Sequence, residues 1–458
     1  MTENLAKLFG SSGVRGLVNV DLTPVLACKV GLAVASHAKA GKALVARDTR
    51  VSGSMLEGAL VSGLLAGGVD VSLAGVVPTP VLAYSTKALK ADAGFMITAS
   101  HNPPQYNGIK IFNGDSLSYT DENQNAVEKI ITEENFALAD WRGIGEASIV
   151  DVSHLYMEMV RKAVMLHRQW RVIVDPGCGA TFNIAPAILK AMGCRVTALN
   201  AQPDGFFPAR SSEPTADSLK DLAQVVKELG ADVGVAFDGD GDRVAFIDGR
   251  GSFVDFDRSL AAYAAYALKR NGGGTVVTNV EASMCVEKMA ETQGGKVVRT
   301  RVGDIYVSEA MKRSDAVFGG EPCGAWVHPS FHYCPDGPLS AVLLLKALEE
   351  ENKSLREFVA EVPEYVTLRE NIACKNDLKQ EAVASIDKAI TSAFPEYTDF
   401  STVDGVRVAF KSGWLLIRAS GTEPLIRLTV EGESLKAARD IMEKGTGIVR
   451  KHVEDWKK

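Results

Sequence analysis

The strongest constraint on what this chain can fold into is a repeat. "KALVARD" leads into "SGSMLEGALVSGLLAGG" and then "VDVSLAGVV". "WRVIVDPG" leads into "NIAPAILKAMG" and "CRVTALN", and "GTVVTNV" into "SMCVEKMAETQGG" and "KVVRTRVGD". Each triplet reads as an apolar strand, a helix and a second strand. Strand–helix–strand units of this kind build a mixed, largely parallel sheet with helices on its faces. Each unit then runs on to another short strand introduced by a small residue and Asp: "ADAGFMITASHN", "ADVGVAFDGDGDR" and "SDAVFGGEPCG". Three unusual loops therefore follow the same strand of three repeated units. Ligands of open α/β sheets gather at the carboxyl ends of strands, so the three loops are expected to converge on one cleft.

From residue 363 the pattern changes. "VDGVRVAFKSGWLLIRASGTEPLIRLTVEG" alternates with period two around a Lys-Ser-Gly turn, which predicts antiparallel hairpins, and a closing helix follows. The expected fold is α/β: three similar mixed-sheet α/β domains plus a smaller α+β C-terminal domain around a central cleft. The expected boundaries are 1–148, 149–250, 251–362 and 363–458. A length of 458 residues is ample for several cores.

Charge and composition narrow the function. A net charge of -7 argues against a general binder of nucleic acid or of anionic membranes. An anionic substrate would need a local cluster of Arg and Lys. The apolar region from Ala59 to Tyr84 is too interrupted by Asp70, glycines and prolines to span a bilayer, and the N-terminus lacks the pattern of a signal peptide. Seven cysteines without a Cys-x-x-Cys pair suggest reduced thiols and a cytoplasmic location.

The loops carry the chemistry. "DGDGDR" sets carboxylates at Asp238, Asp240 and Asp242 with glycines between them, so three acids can meet. Acids crowded in this way repel unless a cation sits among them, and oxygen ligands favour Mg2+ or another hard divalent ion. An EF-hand does not fit, because its glycine position holds Arg243 and its final glutamate position holds Gly249. "RASGTEP" reads as a phosphate cradle, with Ser420 and Thr422 hydroxyls, a backbone nest at Gly421, and charge from Arg418 and Arg427. "GGEPCGAW" surrounds Glu321, whose carboxylate can accept bonds from hydroxyl groups. Nearby Cys323, His328, His332 and Cys334 are zinc-capable types, but their spacing matches no standard finger. "GSSGVRG", with Arg15, offers a second anion contact and lacks the lysine of a P-loop; "DPGCGATF" lacks the third glycine of a dinucleotide fingerprint.

"TASHNPPQYNGIKIF" holds Ser100 at the end of the apolar run "AGFMI", in a loop stiffened by two prolines. No G-x-S-x-G elbow is present. His101, adjacent in sequence, is poorly placed to reach the Ser100 hydroxyl as an orthodox base. A metal is the better partner, because it can hold an oxygen of Ser100 and offset charge on a phosphoryl group there.

Together these residues resemble the α-D-phosphohexomutase superfamily of phosphoglucomutases, phosphomannomutases and phosphoglucosamine mutases, over essentially the whole chain. "TASHNP" looks like the phosphoserine loop, "DGDGDR" the metal loop, "GEPCG" the sugar loop and "RASGTEP" the phosphate loop. The resemblance implies a mutase that moves phosphate between O6 and O1 through phospho-Ser100 and a sugar 1,6-bisphosphate, which also serves as activator. It implies Mg2+ on Ser100, Asp238, Asp240 and Asp242; Arg15 and Arg243 balancing phosphate charge; and His101 and Lys110 as proton shuttles. Lys110 would act as a base only with a lowered pKa, which a cationic neighbourhood can supply. Glu321, Cys323 and Gly324, with Gly303 and Asp304 of "VGD", would read the sugar, while Arg418, Ser420, Gly421, Thr422 and Arg427 clamp the distal phosphate. The partners implied are hexose or hexosamine phosphates, with no nucleic acid and no membrane.

Two departures bear on sugar choice. Cys323 and Ala325 stand where many relatives have Ser and His, and the first loop has Ser-Ser where Thr-Asp or Thr-Ser is frequent. "GGEPCGAW" looks most like archaeal-type phosphoglucosamine mutases, which favours glucosamine phosphate. "TASHNP" leans back toward phosphomannomutase or phosphoglucomutase. A phosphatase-like enzyme using the same phosphoserine, or a non-catalytic sugar-phosphate sensor, are the remote alternatives.

Overall fold

The computed structural model describes residues 8–10, 13–38, 41–420 and 423–455. Three of its four sheets share one plan. In the first, Lys42–Arg47 lies between Asp70–Val76 and Ala93–Ile97, parallel to both, and Ala93–Ile97 turns back antiparallel into Tyr106–Asn113. The second repeats this with Arg171–Asp175 between Arg195–Ala198 and Val233–Phe237, followed by Val244–Asp248. The third uses Gly274–Asn279, Gly295–Thr300, Phe318–Gly320 and Trp326–Val327. The order second, first, third, fourth strand is thus common to all three. The first sheet adds Phe9–Gly10 and Gly13–Leu17 beyond the hairpin and Ala147–Ile149 at the far edge, and the second adds Phe253–Val254.

The shared plan decides where the loops fall. In each sheet the third strand ends in the turn that carries unusual residues: 98–105, 238–243 and 321–325. The third strands of the first two sheets, "AGFMI" and "VGVAF", are buried along their whole length. Continuous apolar runs of this sort suit strands covered on both faces, so the loop that follows starts from a fixed point.

One apolar cluster runs from Leu44 to Val362 and joins all three units; Phe237, Phe318, Trp326 and Trp170 are among its largest members. A second cluster fills the other face of the first sheet. The helix Gly337–Glu350 begins at Asp336, whose carboxylate caps the amide of Leu339 at 2.9 Å.

The C-terminal unit has five antiparallel strands, in the order Val366–Ala373, Leu425–Gly432, Gly413–Ala419, Val406–Phe410, Asp399–Ser401. The helix Leu435–Asp455 packs against this sheet with its own apolar cluster, in which Ile441 and Val449 join Leu415 and Ile417. The hairpin around residues 411–412 and the closing helix follow the sequence pattern. The strand Val366–Ala373 and the short helices Lys379–Ala384 and Asp387–Ala393 do not announce themselves in it. Among the described residues, no helix is long and apolar enough to cross a membrane.

Candidate active site

The first loop is built around a backbone that proteins rarely tolerate. Ser100 has φ +51°, in the left-handed region that disfavours a side chain. Its amide donates to the Thr98 hydroxyl at 2.8 Å, and that hydroxyl donates to Asp48 at 2.6 Å. The Ser100 hydroxyl donates to Asp238 Oδ2 at 2.6 Å. It also lies 3.3 Å from His101 Nδ1. His101, expected to be poorly placed for the Ser100 hydroxyl, is brought within contact by the left-handed turn, at the long end of the hydrogen-bond range.

What holds this turn is a residue the sequence reading passed over. Arg50 follows the first strand and its side chain is fully buried. Its guanidinium donates to Asp48 at 3.0 Å and to the carbonyls of Ser100 (2.8 Å), Asn102 (2.6 Å), Pro103 (2.7 Å) and Tyr106 (3.0 Å). The fork geometry of a guanidinium suits this task. "RDTR" could have drawn attention as a charged cluster directly after a buried strand, but nothing in it names the carbonyls it binds.

The second loop supplies the three acids. Asp238 and Asp240 are wholly buried and Asp242 nearly so. One oxygen from each lies within 4.8 Å of the others. Asp238 Oδ1 accepts from the amides of Gly241 (2.9 Å) and Arg243 (3.2 Å). Asp240 Oδ2 accepts from Thr79 (2.6 Å) and Lys110 (2.8 Å), and Asp242 Oδ2 from Lys110 (2.6 Å). Asp240 Oδ1 and Asp242 Oδ1 are buried without a partner. Orphaned carboxylate oxygens facing one small volume are what a hard divalent cation satisfies, so the donor set fits Mg2+. A Cβ on Gly239 would stand 2.5 Å from the Ser100 carbonyl, so the two loops meet this closely only because residue 239 has no side chain.

The charges in this cluster pull the titrations apart. Burial, then Asp242 and Asp240, hold Asp238 well above the usual carboxylate range. Burial would raise Asp240 too, but Lys110 outweighs it and leaves Asp240 below that range. Burial would lower Lys110, yet Asp240 and Asp242 raise it above its ordinary value. The cationic surroundings expected for Lys110 are thus replaced by anionic ones. Burial, Arg243 and Arg15 push His101 down to about 3.

The third loop and the "VGD" turn meet at Glu321, whose Oε1 accepts from Asn279 at 2.7 Å and from the amide of Gly303 at 2.8 Å. Burial and then Asp304 raise its pKa. The carbonyl of Gly324 accepts from the amide of Val244 at 3.0 Å, which ties the sugar loop to the strand leaving the acid loop. Burial carries the Cys323 thiol up to about 12. Arg15 donates to Asn102 Oδ1 at 2.7 Å, beside the serine, and Arg243 lies 3.8 Å from Glu213. The two zinc-capable histidines are otherwise engaged, His328 with Ser340 and His332 with Asp336, both at 2.9 Å.

Among the described residues of "RASGTEP", Arg418 and Ser420 make their bonds outside this cluster. Arg418 and Arg427 are directly opposite on adjacent strands. Arg418 pairs with Glu281 and, at 2.9 Å, with Asp404, while Arg427 pairs with Glu423 at 2.6 Å. Ser420 is buried, and its hydroxyl accepts from the amide of Glu423 at 3.2 Å. Gly421 and Thr422, like Ser11 and Ser12 of the first loop, lie outside the described residues. The structure therefore gathers Ser100, His101, Lys110 and the three Asp into one cluster, sets Arg15 beside it, and pairs Arg418 of the C-terminal unit with Glu281 of the third unit.

Four family models match the chain in order. They are phosphoglucomutase/phosphomannomutase alpha/beta/alpha domain I over residues 6–138, domain II over 154–251, domain III over 255–365, and the C-terminal domain over 370–445. A protein of Pyrococcus abyssi named "Probable phosphoglucosamine mutase" is 43% identical over 97% of this chain and 98% of its own length. One of the same name from Methanopyrus kandleri is 43% identical over 98% of this chain and 99% of its own. Among solved structures, a phosphoglucomutase/phosphomannomutase family protein of Burkholderia thailandensis superposes with a TM-score of 0.87 at 29% identity, covering 97% of both chains. An Aspergillus fumigatus N-acetylphosphoglucosamine mutase shares the fold, with a TM-score of 0.62 at 16% identity over 97% of this chain and 96% of that one.

Proposed function

Because the chain belongs to the phosphoglucomutase/phosphomannomutase family and is a phosphosugar mutase, we propose that it moves phosphate between O6 and O1 of a hexosamine phosphate through phospho-Ser100. The observation that carries this reading is the 2.6 Å bond from the Ser100 hydroxyl into a cluster of three buried carboxylates with two orphaned oxygens. An ordinary structural serine has no need of such surroundings. Ser100, Asp238, Asp240 and Asp242 would hold Mg2+, which when bound offsets charge on the transferring phosphoryl group.

The chain's own residues divide the remaining work. In the first transfer the phosphorus–oxygen bond to Ser100 breaks as a bond to the sugar hydroxyl oxygen forms. The hydroxyl proton needs an acceptor, and the neutral imidazole of His101 is available, 3.3 Å from Ser100 Oγ. Lys110 keeps its proton, because Asp240 and Asp242 raise its pKa despite burial, and so contributes a fixed positive charge beside the acids. The resulting 1,6-bisphosphate turns around in the cleft, and its other phosphate returns to Ser100. Free bisphosphate would therefore serve as activator by restoring phospho-Ser100. Glu321, with Cys323, Gly324, Gly303 and Asp304, reads sugar hydroxyls in both orientations. Arg418, Ser420, Gly421, Thr422 and Arg427 clamp the distal phosphate, with Arg15 and Arg243 balancing charge near Ser100. Arg418 must exchange Glu281 and Asp404 for phosphate to do this, so the C-terminal unit moves to close the cleft over the substrate.

Glucosamine phosphate is the substrate favoured, on the strength of the "GGEPCGAW" loop and of the names carried by the archaeal relatives. Mannose or glucose phosphate is the second reading, favoured by "TASHNP". The test is kcat/KM on glucosamine, mannose and glucose phosphates with Mg2+ and a trace of sugar bisphosphate. A Ser100→Ala control should abolish turnover of all three. Near-full activity in that control would refute the phosphoserine, and better turnover of mannose or glucose phosphate would refute the hexosamine preference.

A further inference from the structure

A cavity of about 710 Å³ opens at the joint between the third unit and the C-terminal unit. Val280, Glu287 and Arg299 line one side, and Phe400, Arg407 and Trp414 the other. Its size is that of a small-molecule site. None of its lining residues belongs to the serine, acid, sugar or phosphate loops.

Arg407 is the feature that calls for a ligand. It lies on the strand Val406–Phe410, opposite Leu416, on the sheet face turned toward the third unit, where Val280, Trp414 and Leu416 make a small apolar cluster. It is only 5% exposed. Its Nε is buried without a partner. The one ion pair it has is Asp399 at 4.0 Å, a side chain that is itself mostly in solvent. The other carboxylates nearby are taken. Glu287 is held by Arg299 through two bonds of 2.7 and 2.8 Å, and Glu431 accepts from Trp414 Nε1 at 2.9 Å and from the amide of Met284 at 2.8 Å. Lys288 sits 3.6 Å from Glu291. Of the carboxylates around Arg407, only Asp399 is thus free of a closer partner, while the exposed Lys411 adds a second positive charge to the same lining. Burial, with Arg299 beside it, lowers the Arg407 pKa to about 9, a sign that its charge is poorly compensated where it stands.

The surroundings say what would satisfy it. The guanidinium stacks over the Trp414 ring at 5.0 Å, and Phe400, Phe410, Val280 and Val297 complete an apolar wall. A buried guanidinium that lacks acceptors is matched by a carboxylate or phosphate, which can take two of its N–H groups at once. The apolar wall is matched by a flat or aliphatic body. We propose that this cavity is an accessory binding site for a small anion, phosphate or carboxylate, carried on an apolar or aromatic group. An occupant would touch both units and resist their relative movement. In that respect the inference rests on the proposed closure of the C-terminal unit; the site itself does not.

The experiment is calorimetric titration of the full-length protein with phenyl phosphate and, separately, benzoate, in wild type, Arg407→Gln, Lys411→Glu and Arg427→Gln. The expected result is binding of at least one probe in wild type and in Arg427→Gln. Affinity should fall ten-fold or more in Arg407→Gln and measurably in Lys411→Glu, an exposed position that spares the fold. The probe that binds distinguishes a phosphate from a carboxylate site. No binding of either probe overturns the proposal, as does binding lost in Arg427→Gln and kept in Arg407→Gln, which would place the probe in the phosphate loop. The binding probe should also raise KM for the sugar phosphate three-fold or more in wild type and leave it unmoved in Arg407→Gln. An unmoved KM in wild type would overturn the brace. Because the titration needs no turnover, failure of the mutase reading, seen as an active Ser100→Ala, remains separate from failure of this one.

Discussion

Arg50→Met is the substitution that most directly tests how the serine loop is held. It removes the bond to Asp48 and the four bonds to the carbonyls of Ser100, Asn102, Pro103 and Tyr106. Asp48 is left wholly buried, with the Thr98 hydroxyl and one amide but no opposite charge. Removing one partner of a buried ion pair costs about 3–5 kcal/mol, because the other charge stays behind. For a unit of this size that is a fall of roughly 10 °C or more in Tm. Burial already raises the Asp48 pKa despite Arg50, and losing Arg50 raises it further. A carboxyl raised in the folded state favours folding while protonated and loses that contribution as pH rises through its folded pKa. The deficit should therefore be greatest near neutral pH and shrink on acidification. Asp48→Asn combined with Arg50→Met should recover part of it.

The functional effect should be distinct from the stability effect. Without the guanidinium, only the Thr98 bond to its amide and its own hydroxyl bond to Asp238 keep Ser100 at φ +51°. A misplacement of about 1 Å can cost a factor on the order of 100 in rate. Measured well below the variant's Tm, kcat should fall by about that factor with KM nearly unchanged, since no sugar-loop or phosphate-loop group is touched. Calorimetry and steady-state kinetics on the same preparations read both quantities. A Tm within about 2 °C of wild type together with an unaltered kcat would refute the reasoning.

The other predictions concern the acids, one remote carboxyl and one helix cap. Mg2+ should raise the Tm of wild type, and Asp240→Asn should lose that response; a metal effect surviving the substitution would place the ion elsewhere. Burial first, then Asp255 and Glu431, push Asp257 up to about 7, although it accepts from the Ser283 amide at 2.7 Å. Its folded state therefore favours the protonated form, and stability from this group is present in acid and lost as pH rises through 7. Asp257→Asn should raise Tm by a few degrees at pH 8.5 relative to wild type and by less at pH 5, and equal shifts at both values would count against it. Ser354 and Glu357 form a capping box on the helix Leu355–Ala360. Ser354→Ala should cost about 1 kcal/mol in denaturant unfolding, and no measurable change would show that packing alone holds this helix.

Much of the site was legible in the chain because its signals are local. A buried "VGVAF" strand running into alternating Asp and Gly forces carboxylates together whatever surrounds them, and the same holds for a serine fixed at the end of "AGFMI". Periodicity likewise carried the three repeated units, because a two-residue period and a helical period need only near neighbours to be read. The weaker strand Val366–Ala373 is half exposed, and it exists as a strand through its pairing with Leu425–Gly432, far along the chain.

Tertiary structure decided what depends on distant partners. Lys110 takes its raised pKa from Asp240 and Asp242, 130 and 132 residues away. Arg50 matters because of carbonyls some 50 residues on, and a carbonyl leaves no trace in a residue's name. Arg407 reads in sequence as one more charge on a period-two strand; only the packing of the third unit against the C-terminal sheet takes it out of water and leaves its Nε without a partner. Sequence by itself determined which groups this protein has and how its strongly patterned segments fold. The field and the solvent exposure that each group meets are sums over the whole folded chain, and those were set by the tertiary structure alone.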